Sequence, residues 1–148
     1  MRTAKFHSGV MLIEALIGIL IFSIGILALL GMQGAAIKNT TDAKYRSEAA
    51  FLATQIVGQM WVDLANLSSY DTDGPAFAVR DNWVNTVAIT LPGVTAGGLR
   101  SPTIQVGPDG AFGLVDREVR VQVQWLQPGE TETHQVIILN RLHLGAGV

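Results

Sequence analysis

The stretch Val10–Met32, VMLIEALIGILIFSIGILALLGM, decides how the rest of the chain is read. Its 23 residues carry one ionisable side chain, Glu14, and one hydroxyl, Ser23. At about 1.5 Å per helical residue the run spans roughly 34 Å, enough to cross a hydrocarbon core of about 30 Å. Whole-chain averages of 49% hydrophobic and 15% charged residues conceal this asymmetry, because the chain beyond Met32 has the composition of an ordinary soluble protein. A secretory signal has a shorter apolar stretch, followed by small residues at a cleavage site. Here the run is too long, and Gly31-Met32-Gln33-Gly34-Ala35 is a poor site of that kind. Hydrophobicity alone therefore predicts an uncleaved signal anchor. Arg2 and Lys5, with His7 nearby, precede the span and place the N-terminus in the cytoplasm, although Lys38, Lys44 and Arg46 follow it.

Glu14 is what a plain anchor leaves unexplained. It lies inside the apolar run, where an ionised carboxylate costs several kcal/mol unless it is paired or reaches the interface. The macrodipole of the first helical turns returns only about 0.3–1 kcal/mol. A positive partner offsets the remainder, and a newly exposed α-amino group on a neighbouring chain is one candidate.

In this setting Ser8-Gly9-Val10-Met11-Leu12-Ile13-Glu14 resembles the prepilin peptidase site of type IV pilins and type II secretion pseudopilins. That pattern is a short basic leader, Gly, a mostly apolar stretch, and Glu at the fifth residue after the cleaved bond. The resemblance implies cleavage between Gly9 and Val10 on the cytoplasmic face and N-methylation of the new amine on Val10. It also implies that Glu14 pairs with the N-terminus of an adjacent subunit during assembly. The residue after the cleaved bond is usually Phe in the family and is Val10 here, which bears on methylation more than on cleavage. Ile24-Gly25-Ile26-Leu27-Ala28-Leu29-Leu30-Gly31-Met32-Gln33 is similar to the end of the hydrophobic segment in PilV-type minor pilins. Where many major pilins carry Pro, this chain has Gly31. Gly costs about 1 kcal/mol inside a helix, so Gly31 and Gly34 are candidate points of helix flexibility, or else simply allow close packing. Gly18 and Gly25 share a face one heptad apart, which suits close helix approach.

Residues 35–67 continue with helical period. Ala49, Leu52, Ala53, Ile56, Val57, Met60, Leu64 and Leu67 recur at three- and four-residue spacing, opposite Lys38, Asp42, Arg46, Glu48, Gln55, Gln59 and Asp63. One helix is predicted from Val10 to about Leu67, ended by the breaker cluster Ser68-Ser69-Tyr70-Asp71-Thr72-Asp73-Gly74-Pro75. Asp71-x-Asp73-Gly74 is similar to the start of a calcium loop but lacks the later acidic ligand, so a solvated loop is the better reading. Beyond it Val84–Leu91 reads as a β segment, Pro92-Gly93 and Ala96-Gly97-Gly98 as loops, and Thr103–Val106 as a short strand before a turn at Gly107-Pro108-Asp109-Gly110. Arg117–Trp125 is the clearest strand, with Val119, Val121, Val123 and Trp125 on one face. Gln127-Pro128-Gly129-Glu130 turns it into a returning strand over Thr133–Leu142. The expected fold is α+β: a long N-terminal helix, half membrane and half amphipathic, packed on a small antiparallel sheet. Its parts are a leader (1–9), an apolar helix (10–34), an amphipathic continuation (35–67) and a β-rich periplasmic region (68–148).

A formal charge of −2 with no Lys or Arg run offers no footprint for nucleic acid. With no cysteine there is no disulfide framework. His7, His134 and His143 are scattered without metal-ligand spacing, and no nucleophile elbow, phosphate loop or carboxylate pair appears. Trp61, Trp83 and Trp125 read as core or rim. No catalysis, cofactor or metal is expected. The resemblance implies a structural subunit of the bacterial inner membrane and then of the pilus. Its implied partners are prepilin peptidase, other minor pilins and the major pilin, the inner-membrane assembly platform and the lipid bilayer. A minor pseudopilin of type II secretion shares the same N-terminus. A signal-anchored periplasmic binding domain is the rival of another class.

Overall fold

A computed structural model describes residues 8–107 and 116–143. Met1–His7 of the expected leader, and all but Gly107 of the expected turn at 107–110, lie outside them. The elements in order are α1 (Ser8–Val62), a 3₁₀ helix (Leu64–Tyr70), α2 (Ala78–Thr90), β1 (Thr103–Val106), β2 (Asp116–Trp125) and β3 (His134–His143). The fold is α+β, a long N-terminal helix packed on a three-stranded antiparallel sheet of order β1-β2-β3. The chain divides into two compact units, one up to Thr41 and one from Asp42 onward.

The first unit is helical in its described part. Every residue from Gly9 to Thr40 is helical, and every one up to Asn39 is exposed. Hydrophobic residues therefore surround the axis with no protein cover, the pattern of a helix that takes lipid or other chains as its solvent. The helix is continuous through Gly31 and Gly34.

In the second unit the amphipathic half of α1 buries Ala49, Leu52, Ala53, Ile56, Val57 and Met60. They join a core with Trp83, Val87 and Leu91 of the α2 region, Ile104 of β1, Leu142 of β3, and Val119, Val121, Val123 and Trp125 of β2. The period-2 reading of β2 is thus met residue by residue. β3 pairs with it without interruption from Asp116↔His143 to Trp125↔His134. In the connection Glu130 N–H donates to the Gln127 carbonyl at 3.1 Å and Gly129 has φ 84°. This is the Pro-Gly turn the sequence calls for, with glycine at the position that needs positive φ. Gly93 (φ 68°) is held more tightly: a Cβ there would stand 2.9 Å from that of Leu126.

Two expectations are corrected. Val84–Leu91 is not a β segment but lies in α2 and its C-cap. Its β-branched residues favour a strand locally, yet the buried positions are Arg80, Trp83, Val87 and Leu91, three and four apart, while Ile89 is 87% exposed. Tertiary packing at the helical period overrides local propensity. Asp81 anchors the helix start: its Oδ2 accepts the Phe77 N–H at 3.1 Å, and its own N–H donates to the Phe77 carbonyl at 2.9 Å. Thr86 and Thr90 donate their hydroxyls to the carbonyls four residues back.

The second correction concerns where α1 ends. It stops at Val62 rather than Leu67, and Leu64–Tyr70 is a 3₁₀ helix with non-helical dihedrals at Asn66. Asn66 donates from Nδ2 to Asp63 Oδ1 at 2.8 Å and from its N–H to the Asp63 carbonyl at 3.1 Å. Short polar side chains compete in this way with the α-helical ladder. Ser68–Tyr70, the front of the expected breaker cluster, therefore belongs to the 3₁₀ helix. Leu67 remains buried because the tighter helix still turns it inward.

Candidate functional site

The candidate assembly segment is the first unit of α1. Gly9 and Val10 sit in its first turn and are exposed. Val10 and Glu14 are four residues apart, so both lie on one helix face about 6 Å apart along the axis. None of the most apolar window of this helix is buried. The two polar side chains of the Val10–Met32 run behave differently. Ser23 donates its hydroxyl to the Ile19 carbonyl at 2.7 Å and so satisfies itself within the helix. Glu14 has no such route, and among the described residues no cation stands within ion-pair distance of it. Beyond the neighbouring residues and backbone of the helix itself, no described atom lies within 4 Å of where a Cβ would stand at Gly18, Gly25, Gly31 or Gly34, so among the described residues nothing requires glycine there.

The second unit holds three polar constructions whose pairing the sequence did not announce. The first is built on Arg80, which is 6% exposed. Its Nε donates to Asp81 Oδ1 at 2.9 Å, its Nη2 lies 2.8 Å from the same oxygen, and its Nη1 donates to the Asp71 and Ser69 carbonyls. Asp71, half-buried instead of solvated, accepts the Val106 N–H on Oδ2 at 3.0 Å and the Asp73 N–H on Oδ1 at 2.9 Å. The fragment that is similar to a calcium loop is thus a strap tying the 3₁₀ segment to β1 and α2. Among the described residues no three acidic or histidine side chains converge as metal ligands.

His134 organises the second construction. Its ring stacks on Trp125 with centroids 5.5 Å apart and planes at 19°. Nε2 lies 2.6 Å from Glu130 Oε2, and Nδ1 lies 3.9 Å from Asp42 Oδ1. Gln127 Nε2 donates to that Asp42 oxygen at 2.7 Å, which fastens the β2–β3 turn to α1. His143 lies at the far end of the same strand from His134, so the structure does not bring these histidines together.

The third is Tyr70. Its hydroxyl donates to Asp63 Oδ2 at 3.3 Å, and its ring meets Phe77 edge-on at 4.9 Å. Burial, followed by the Asp63 charge, pushes the Tyr70 hydroxyl up to about 12. Between α1 and α2 there is also a cleft of about 250 Å³ lined by Gln55, Gln59, Val79, Asn82, Trp83 and Thr86. Its lining is amide, hydroxyl and apolar. Of the three tryptophans, Trp83 and Trp125 are core and Trp61 is half exposed at the rim.

No protein-family model matches this chain, no curated protein is similar to it, and no solved structure matches it.

Proposed function

We propose that this chain is a pilin-like assembly subunit, a minor pilin of a type IV pilus system. In this reading prepilin peptidase cleaves between Gly9 and Val10, the new amine on Val10 is methylated, and α1 carries the subunit from the bacterial inner membrane into the pilus. The domain after it lies in the periplasm. Other minor pilins, the major pilin and the assembly platform are its partners.

The observation that carries the proposal is Glu14. Ser23 shows that this helix can satisfy a polar side chain internally, and Glu14 is the polar group it does not satisfy. An uncompensated carboxylate in hydrocarbon costs several kcal/mol, well above the roughly 0.3–1 kcal/mol the macrodipole supplies. A positive partner from outside the described residues would offset that cost. Cleavage after Gly9 creates such a partner, an α-ammonium, on every neighbouring copy of the same helix. The fully exposed apolar surface from Val10 onward supports the same reading, since a packed bundle of such helices would cover it. Gly31 and Gly34 would mark where α1 loosens on entering that bundle.

The test is the mass of the chain in membranes with and without prepilin peptidase. The expected product begins at Val10 and carries an N-methyl group when the peptidase is present. A chain that keeps Met1–Gly9 under those conditions rejects the proposal in favour of a signal-anchored periplasmic domain. A minor pseudopilin of type II secretion shares the cleavage. Rescue of pilus assembly, as against secretion, in strains lacking one or the other minor subunit separates the two.

A further inference from the structure

One end of the second unit is fixed by the chain that enters it. No charged residue lies between Glu14 and Lys38, and Lys38 is one helical turn, about 6 Å, before Asp42. The headgroup layer on each side of a bilayer is roughly 5–7 Å deep. When α1 crosses a bilayer, the Asp42 end of this unit is therefore held at the headgroups by the chain itself. Gln127 is at that end, bonded to Asp42. Leu126 N–H donates to the Pro92 carbonyl at 3.0 Å, which brings the segment after α2 there as well. α2 thus starts at the far end, where Arg80 donates to the Asp71 carbonyl, and finishes at the near one.

Residues 82–99 carry no ionisable side chain. At the chain's average of 15% charged residues, a stretch of that length would hold about three. Its first half is the body of α2, and its second half is a loop built to keep one shape. Val94 and Pro102 are buried at the two feet of the loop. Between them Gly98 N–H donates to the Thr95 carbonyl at 2.9 Å, Gly97 N–H to Ser101 Oγ at 3.1 Å, and Arg100 Nε to the Gly93 carbonyl at 2.6 Å. On this braced loop Leu99 is 100% exposed, and Ile89 near the end of α2 is 87% exposed. The bracing bonds hold the leucine out instead of letting it fold back on the protein.

We propose that this loop is a membrane-contact element: in the anchored chain Leu99, with Ile89 at the same end, rests at the boundary between headgroups and acyl chains of the bilayer that α1 crosses. A bilayer to which the unit is already tied is met at high effective concentration, so two aliphatic side chains suffice for a contact they could not hold alone. The contact is apolar. Glu130 and Glu132 of the β2–β3 connection share this end with Lys44 and Arg46 of α1, so the charges do not single out anionic lipid. Arg100, next to Leu99, sets a cation at phosphate depth, as long basic side chains do at an interface. The inference rests on the reading of α1 as a membrane span and not on cleavage after Gly9.

The chain contains no cysteine, so a single Cys in the full-length chain takes one spin label. Three exposed positions are used: Ala96 in the loop, Ala76 at the far end of the unit, and Ile17 in the apolar run. Each labelled chain is placed in phosphatidylcholine nanodiscs. Collisions with oxygen, which concentrates in hydrocarbon, are then compared with collisions with a water-soluble nickel chelate. Relative to oxygen, the label at Ala96→Cys is expected to meet the chelate at least about threefold less often than the label at Ala76→Cys. Adding Leu99→Asp to the Ala96→Cys chain should bring the ratio to the Ala76→Cys value. A loop label as open to the chelate as the far-end one, or one that Leu99→Asp leaves unchanged, overturns the proposal, while an Ile17→Cys label in hydrocarbon keeps the span. An Ile17→Cys label open to the chelate rejects the span itself, and the loop contact falls with it.

Discussion

The indole Nε1 of Trp83 donates to the backbone carbonyl of Leu52 at 2.9 Å, a bond between the middle of α2 and the middle of the amphipathic half of α1. Both residues are buried, so the bond forms out of water and fixes which face of α2 meets α1. Trp83→Phe keeps most of the packing and removes the donor, and the Leu52 carbonyl retains its helical partner. The expected cost is about 1 kcal/mol. Trp83→Ala also opens a cavity and should cost about 3–5 kcal/mol. Denaturant midpoints of the full chain in micelles, at unchanged m-value, would check both values. Equal losses for the two variants would mean that the hydrogen bond, and not the ring's packing, dominates.

Tyr70 gives the second unit an alkaline limit. Its hydroxyl is held up at about 12, above an ordinary value of 10.0, by burial and then by the Asp63 charge. A raised folded-state value means that the native state holds the proton more tightly than the unfolded chain does. The stabilisation is therefore complete below pH 10 and is lost as pH rises from 10 to 12. Tyr70→Phe should flatten the stability profile over that window. Only two tyrosines are present, so tyrosinate absorbance of the variant reports Tyr45 alone and the difference isolates Tyr70. A Tyr70 that titrates at its ordinary value in the folded chain contradicts the assignment.

What could be read in advance was whatever repeats. Val119, Val121, Val123 and Trp125 alternate over a full strand, and Gln127-Pro128-Gly129-Glu130 has the turn chemistry that joins it to β3. The α1 face from Ala49 to Met60 repeats over three turns. α2 is not legible in the sequence because its aliphatic run is short, and Val84, Val87 and Ile89 suit a strand as well as a helix. Only the burial of Arg80 and Trp83 one turn earlier decides between them. The Asp71–Val106 link of the Arg80 strap and the Asp42–Gln127–His134 cluster join residues far apart in the chain with no spacing rule between them. They depend on the finished fold. Glu14 is the reverse case, since it is conspicuous in the sequence while among the described residues no cation stands within ion-pair distance of it.

Gly31 and Gly34 are exposed and leave room for a methyl group, so Ala fits at both positions without rearrangement. Each Gly→Ala change should stabilise the helix locally by about 1 kcal/mol. Amide exchange of the Gly31→Ala/Gly34→Ala chain in micelles should slow by roughly tenfold between Gly31 and Lys38. If loosening at this point serves assembly, the variant should be inserted and cleaved normally yet appear in pili at reduced levels. Unchanged exchange would show that the glycines do not limit helix stability there.

Glu14→Ala tests whether the carboxylate serves anchoring or assembly. Removing a charge from an apolar helix lowers the cost of insertion, so a chain whose only need is to be anchored should be unharmed or slightly better inserted. Pairing with a neighbouring amine predicts a different pattern: insertion and cleavage after Gly9 near the wild-type level, with incorporation into pili strongly impaired. Glu14→Gln sharpens the comparison, because it retains size and hydrogen-bonding capacity but loses the charge. If Coulombic attraction to the amine is the main term, Gln should resemble Ala. If hydrogen bonding suffices, Gln should recover a substantial part of the incorporation. Fractionation of membranes and sheared pili, with the N-terminus read by mass spectrometry in both, measures insertion, cleavage and incorporation separately. Incorporation of Glu14→Ala at the wild-type level would remove the pairing role and with it the main support for reading this helix as an assembly segment.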